Sequence, residues 1–405
     1  MKRHAVSISL PLMPVLRGRS ANAAALERRD NAALNFVGEG NLDLQYNFSG
    51  GPGALPLTVL HQAQEVIHRV SDIGLSVLGI SHRSTWFREA LDEAEANIRS
   101  LLGVPDGYHV LFLQGGSTLQ FAMLAMNFGE LRSGPPSYVS SGYWSRKSVS
   151  DSGLDDHLQI AWSGESSGFR RMPTASELRV DPQTSYLHYV SNETVEGLQF
   201  FDSLASGDAP VFCDMSSDFM SRPVDVAQYA MIYAHAQKNL GPAGVTIAIL
   251  RDDLVQRAKT GLPNILDYRA HIAARSIYNT PPVFSIYIVL LVTRWIRDTF
   301  GDLEQLDAAN RTKANLLYRV LDSAPEFYVG HAERESRSLM NVTFNCRTPA
   351  LTAQFLREAQ YAGLQGLDGH RSIGGVRASL YNAVTEHETT VLAQFMTHFQ
   401  RRNAS

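Results

Sequence analysis

The chain of 405 residues is longer than one minimal core requires and predicts two domains. With 44% hydrophobic residues, 19% charged residues and a formal charge of −4, it has an ordinary globular balance and offers no basic surface for a nucleic-acid partner. Its two cysteines, Cys213 and Cys346, fit no zinc spacing and read as small apolar core residues of a reducing compartment.

Residues 1–43 differ in character from the rest. Lys2, Arg3, Arg17 and Arg19 precede the first acid, Glu27, a bias shared with organelle transit peptides. Pro11 and Pro14 interrupt any amphipathic helix there, so the segment reads as a disordered extension of a cytoplasmic protein, with organellar import as the alternative. From Leu57, the residues Val59, Ala63, Val66 and Val70 recur at helical spacing behind Pro56. A second helix has Leu91, Ala94, Ile98 and Leu102 on one face and stops at Gly103. "HVLFLQGGSTLQFAM" then gives an apolar run, a glycine turn and a new helix. Strand-like runs follow at "PSYVSS", "SYLHYV", "PVFCDM", "YAMIYAHA" and "VTIAIL", separated by polar or helical stretches, which predicts an α/β domain around a mostly parallel sheet. The run Val283–Val292 falls short of the roughly 20 apolar residues of a membrane span, so no membrane is expected. It opens a long helix instead. "LMNVTFN" and "GGVRASLY" then read as strands of a smaller α+β domain. The expected division is an extension at 1–43, a large domain at 44–300 and a small domain at 301–405.

Several residues sit where chemistry is done. Lys238, in "YAHAQKNLGPAG", follows a strand and precedes turn glycines. It is either a solvated loop lysine or a partly desolvated amine able to condense with a carbonyl. Asp214 ends the run "VFCD" at the carboxyl edge of a sheet, where open α/β folds bind ligands, although a helix-capping aspartate is the other reading. An acid and a lysine at two strand ends can flank one flat cofactor. Gly115 and Gly116 lead into Ser117 and Thr118 at a helix start, a seat for an anion as well as an ordinary turn. The glycine spacing matches neither the P-loop nor the dinucleotide fingerprint. Trp144 can stack on a ring or fill a core, and Thr194 lies in a further post-strand turn. His82 with Arg83, and His370 with Arg371 and Arg377, form two clusters near turns that suit a doubly anionic ligand. No HExxH, paired CxxC or GxSxG is present, which leaves metal hydrolysis and serine esterase chemistry without support.

"NFSGGPGALP", "GISHRS", "FLQGGSTLQF", "GYWS", "HYVSNETVEG", "DMSSDFMSRP", "AQKNLGPAG", "NTPPVFSIY" and "GHRSIGGVRASLYNA" occur in the order and spacing of one family. From about Leu44 to Arg402 the chain resembles the phosphoserine aminotransferases. The resemblance implies fold type I of the enzymes that use pyridoxal 5′-phosphate, with a large domain around a mostly parallel mixed sheet and a smaller C-terminal domain. It implies a homodimer with shared active sites and a role in serine biosynthesis, extended in many bacteria to pyridoxine biosynthesis. The substrates implied are L-glutamate and 3-phosphohydroxypyruvate, with O-phospho-L-serine and 2-oxoglutarate as products. Carried over by position, Lys238 binds the cofactor aldehyde, Asp214 pairs with the pyridine nitrogen, Trp144 stacks on the ring and Thr194 lies by the phenolic oxygen. Ser117, Thr118 and Gln237 hold the cofactor phosphate, with Asn279 and Thr280 reaching in from a second subunit. His82, Arg83, His370 and Arg371 take the substrate's distal anion, and Arg377 its α-carboxylate. Three positions depart from the family pattern. Thr118 stands where some members have arginine, Gly50 where serine is frequent, and His235 where glycine is usual. The rival readings are another fold type I aminotransferase, such as the alanine–glyoxylate type, and a catalytically silent homologue.

Overall fold

The strand-like runs of the sequence assemble into a single mixed sheet at the centre of the fold. The computed structural model describes residues 45–204 and 207–404, so the extension at 1–43 lies outside the described residues. The strands are β1 (Tyr108–Leu113), β2 (Ser137–Ser140), β3 (Gln159–Ser163), β4 (Leu187–Val190), β5 (Val211–Asp214), β6 (Met231–His235) and β7 (Thr246–Arg251). Their order across the sheet is β1-β7-β6-β5-β4-β2-β3. Strands β2 to β6 run parallel, and β7 is antiparallel to both β1 and β6.

Alternation along each strand decides which face a side chain joins. Val211 and Cys213 of β5 enter one apolar core with Leu187 and Tyr189 of β4. Phe212 enters the opposite core with Tyr186 and Tyr233. Helices α1 (Leu57–His68), α2 (Thr85–Leu102) and the later Val283–Phe300 helix lie on the first side, whose core takes Val59, Leu91, Ile98, Ile286 and Val289. Helix α3 (Gly116–Phe128) covers the second side through Phe121, Leu124 and Phe128. A sheet covered on both faces explains why these strands read as continuous apolar runs. Helix α2 stops where the sequence predicts, with Gly103 left-handed at φ 59°. Helix α1 ends at His68, earlier than its apolar periodicity suggests. Arg69 turns extended, and Val70 packs with Val77 and Ile80 from the loop instead.

The C-terminal part builds its own core. A three-stranded antiparallel sheet of β8 (Tyr328–Gly330), β9 (Asn341–Cys346) and β10 (Val376–Ser379) packs against helices Leu303–Ser323, Pro349–Tyr361 and Glu386–Asn403. Phe48 belongs to this core, because Tyr46–Asn47 pairs in parallel with Leu364–Gln365. Inside it, Lys313 Nζ of the Leu303–Ser323 helix donates to the carbonyls of Leu380, Tyr381 and Val384 at 3.1, 3.1 and 2.8 Å. Buried polar bonds join the two parts. Asn382 donates its amide to Asn239 Oδ1 at 2.9 Å and its side chain to Met220 O at 2.8 Å. Among the described residues no helix is long and apolar enough to cross a membrane.

Candidate active site

Parallel pairing places two strand ends side by side. Asp214, the last residue of β5, is in register with Tyr233 of β6, and the chain leaves β6 at His235 to reach Lys238 three residues later. Both side chains are buried: Asp214 is 3% exposed and Lys238 7%. Asp214 Oδ1 accepts the Ser216 amide at 2.8 Å. Burial pushes its carboxyl up to about 6, against the pull of the Ser216 hydrogen bonds and of Lys238. Burial lowers the Lys238 amine to about 8, although Asp214 acts to raise it; the charge of Arg377 lowers it further. Lys238 Nζ donates to Thr194 Oγ1 at 2.7 Å and lies 5.2 Å from the centre of the Trp144 ring. Lys238, Thr194 and Trp144, far apart in sequence, thus meet, with Asp214 at the neighbouring strand end.

Trp144 is the second residue of helix α4 (Tyr143–Asp151), which starts at Gly142 just after β2. The turn that holds Thr194 also fixes this helix. Glu193 accepts the amides of Trp144 and Ser145, both at 2.9 Å, and Glu196 accepts that of Tyr143 at 2.9 Å. Glu193 and Glu196 are not among the residues singled out from the sequence. The sequence carried no signal for them, since acids in a turn after a strand normally face water.

Helix α3 opens with Gly115 and Gly116 at φ 90° and 67°, a left-handed pair that glycine alone adopts freely, and no side chain caps its amino end. Ser117 Oγ is 2.6 Å from Ser216 Oγ, which also accepts the His235 amide at 3.1 Å. This ties the α3 turn to both strand ends. Thr118, one residue further along, is exposed. His235 packs over the same turn: a Cβ on Gly116 would fall 3.3 Å from His235 Nδ1. Burial and the Lys238 charge push that imidazole down to about 4.

Arg377 leaves β10 towards Gly50, is mostly buried, and has its guanidinium lowered by that burial. His370 packs on Tyr143 at 4.5 Å between ring centres with the planes tilted by 53°, and Tyr143 itself meets Trp144 edge-on at 5.2 Å. Arg371 is exposed beside it. The structure therefore draws Lys238, Asp214, Thr194, Trp144, His370 and Arg377 into one region, with Ser117 linked through Ser216. Arg83, Asn279 and Thr280 are exposed and His82 is half-buried, and no contact described within the chain ties their side chains to Lys238. The Thr280 carbonyl accepts from Gln114 Nε2 at 2.6 Å.

Three buried polar atoms around this region, Trp144 Nε1, Gln237 Oε1 and Arg377 Nε, have no hydrogen-bond partner. Native folds satisfy such groups or leave them for a ligand. Together with a buried amine, a buried carboxylate, an indole face and an uncapped helix end, they fit a flat aromatic aldehyde that carries a phosphate.

The fold and this donor set define a class. The chain belongs to the aminotransferase class-V family, whose sequence profile matches residues 45–392. The phosphoserine aminotransferase of Laribacter hongkongensis is 46% identical over 358 residues, covering 88% of this chain and 99% of that protein. That of Shouchella clausii is 44% identical over 359 residues, covering 89% and 97%. Among solved structures, phosphoserine aminotransferase from Bacillus circulans subsp. alkalophilus superposes with a TM-score of 0.86 at 43% identity, covering 89% of this chain and 99% of that one. A pyridoxal-phosphate-bound phosphoserine aminotransferase from Trichomonas vaginalis gives 0.80 at 33% identity, covering 87% and 99%.

Proposed function

We propose that this chain is a phosphoserine aminotransferase that binds pyridoxal 5′-phosphate and transfers the amino group of L-glutamate to 3-phosphohydroxypyruvate. The products are 2-oxoglutarate and O-phospho-L-serine. The carrying observation is the buried Lys238 amine, held by Thr194 over the Trp144 ring with Asp214 at the neighbouring strand end.

Lys238 would hold the cofactor aldehyde, Asp214 its ring nitrogen and Trp144 its face. Ser117, Thr118, Gln237 and the amides that open α3 would hold its phosphate, with Asn279 and Thr280 supplied by a second subunit. When bound, the cofactor supplies a carbonyl for amines and a cationic ring that acidifies the substrate Cα–H bond. Lys238 Nζ takes the α-proton of the amino donor and later returns a proton to the α-carbon of the keto acid. An amine near 8 carries a usable neutral fraction at physiological pH, which an ordinary lysine near ~10.4 does not. Asp214, once beside a cationic ring, is ionised and keeps the ring nitrogen protonated by charge pairing. Arg377 binds the α-carboxylate. His370 and Arg371, with His82 and Arg83 across a homodimer interface, accept either a carboxylate or a phosphate at the distal end, because the guanidinium fork fits both. We assign the enzyme to the cytoplasm and extend its substrates to the 4-phosphohydroxy-L-threonine step of pyridoxine biosynthesis.

The test is spectroscopic and kinetic. Purified protein should bind pyridoxal 5′-phosphate, and its visible absorbance should change on adding glutamate. Borohydride reduction should label Lys238. Lys238→Ala should lose turnover by about 10²–10⁴-fold or more. A preference for alanine with no use of phosphoserine would overturn the assignment.

A further inference from the structure

We propose that Glu193 and Glu196 share a single proton, and that this singly charged pair is a positioning device that seats the amino end of α4 and so aims Tyr143 and Trp144 at the site. The inference rests on the proposed role of Trp144 and adds residues that role does not include.

A helix leaves its first amides without intrahelical partners. In α4 the residue before the helix is Gly142, which has no side chain to cap them. The amides of Tyr143, Trp144 and Ser145 all donate instead to the two glutamates of the 193–196 turn, each at 2.9 Å. Gly142 is required by the same packing. A Cβ there would come within 2.6 Å of Glu196 Oε2 and 2.7 Å of Glu193 Cδ. The aromatic pair thus hangs on two deeply buried carboxyl groups: Glu193 is 0% exposed and Glu196 2%.

Two buried negative charges at one helix end repel, so one group keeps its proton. The hydrogen bonds decide which. Burial raises the Glu193 carboxyl too, but it accepts from two amides and from Ser141 Oγ at 3.2 Å, and Lys238 attracts its charge, so of the two it gives up its proton first. Glu196 has one amide on Oε1, and its Oε2 is buried with no partner. Burial and the Glu193 charge push the Glu196 carboxyl up to about 8, with Arg146 of α4 pulling it down and Arg377 of β10 also facing it. Above that pH a second charge forms beside Glu193, the grip on the α4 amides loosens, and Tyr143 moves relative to His370.

The test follows the near-ultraviolet circular dichroism and fluorescence of the full chain from pH 6 to 10. Trp144→Phe in each background isolates the Trp144 signal. Because the Lys238 amine beside the Trp144 ring also titrates near 8, all chains carry Lys238→Met, and the chain with both glutamates should show a Trp144 change with a midpoint near 8. Glu196→Gln keeps a neutral group of the same shape, so it should have that chain's Trp144 signal at pH 7 and no alkaline transition. Glu193→Gln should lose that signal at every pH. The proposal is overturned if Glu196→Gln keeps the transition, if it already lacks the signal at pH 7, or if the transition survives in Trp144→Phe. Failure of wild type to bind pyridoxal 5′-phosphate would remove the proposed function, yet would leave this optical result to be read on its own.

Discussion

Gly50 and Arg377 claim the same space: a Cβ on residue 50 would fall 2.3 Å from Arg377 Nη2 and 2.4 Å from Cζ. Tyr381 closes the arrangement by donating its hydroxyl to Gly50 O at 2.8 Å. The guanidinium occupies the space that a side chain at residue 50 would need. Gly50→Ser should therefore displace Arg377 and weaken its hold on an α-carboxylate. The expected result is a KM for L-glutamate raised roughly tenfold or more, the scale of one lost charge-assisted hydrogen bond. Steady-state kinetics with glutamate varied check this, and an unchanged KM would show that the guanidinium moves aside without losing the substrate.

Asp214 costs the ligand-free protein stability. An unfolded aspartate titrates near ~3.9, whereas burial raises this one to about 6. Between those values the folded chain holds a proton that the unfolded chain has released. Stability from this group is therefore greatest below pH 4, falls as pH rises to 6, and stays lost above it. The penalty at neutral pH is on the order of 3 kcal/mol. Cofactor-free Asp214→Asn should be more stable than wild type at pH 7, with the gap closing towards pH 4, while turnover falls by roughly 10²–10³-fold. Denaturant unfolding at several pH values, beside kinetics, reads both effects. Equal stability at pH 7 would show that burial does not penalise the Asp214 charge.

Lys313 carries three buried carbonyls on one ammonium, those of Leu380, Tyr381 and Val384. Lys313→Met would fill the space but leave those acceptors unpaired, at a cost of about 2–5 kcal/mol. The same turn carries Asn382, which binds Asn239 beside Lys238, so looseness there should reach the site. A lower melting temperature accompanied by a raised KM is expected. A variant as stable as wild type would show that water or neighbouring groups replace the ammonium.

His82 and Arg83 make no described contact with Lys238 within the chain, so their proposed role needs a second subunit. Refolding a mixture of Lys238→Ala and Arg83→Ala chains should form mixed dimers with one intact site. Random pairing should then restore roughly a quarter of wild-type activity. If each site is confined to one chain, the mixture will be as inactive as its parts.

Residues that are adjacent in sequence were readable without coordinates. "VFCD" and "YAMIYAHA" are buried strands because β-rich apolar runs of that length fit a sheet covered on both sides. Gly115 and Gly116 marked a turn into a helix because only glycine takes that conformation cheaply. The places of Asp214 and Lys238 at strand ends followed from those runs. The Glu193–Glu196 pair did not, since a carboxylate in a turn looks the same whether it faces water or the amides of a helix fifty residues away.

What the sequence alone determined is the inventory: a strand or helix is set by local periodicity and by residues with restricted backbones, and these act over a few positions. The tertiary structure alone decided which members of that inventory meet. Thr194 reaches Lys238 only once β4 and β6 have taken their places in the main sheet, and Gly50 meets Arg377 only once β10 has been brought against the segment around Gly50. Such meetings depend on sheet order and on contacts between distant segments. Burial, and the charge shifts that come with it, exist only once those contacts have formed.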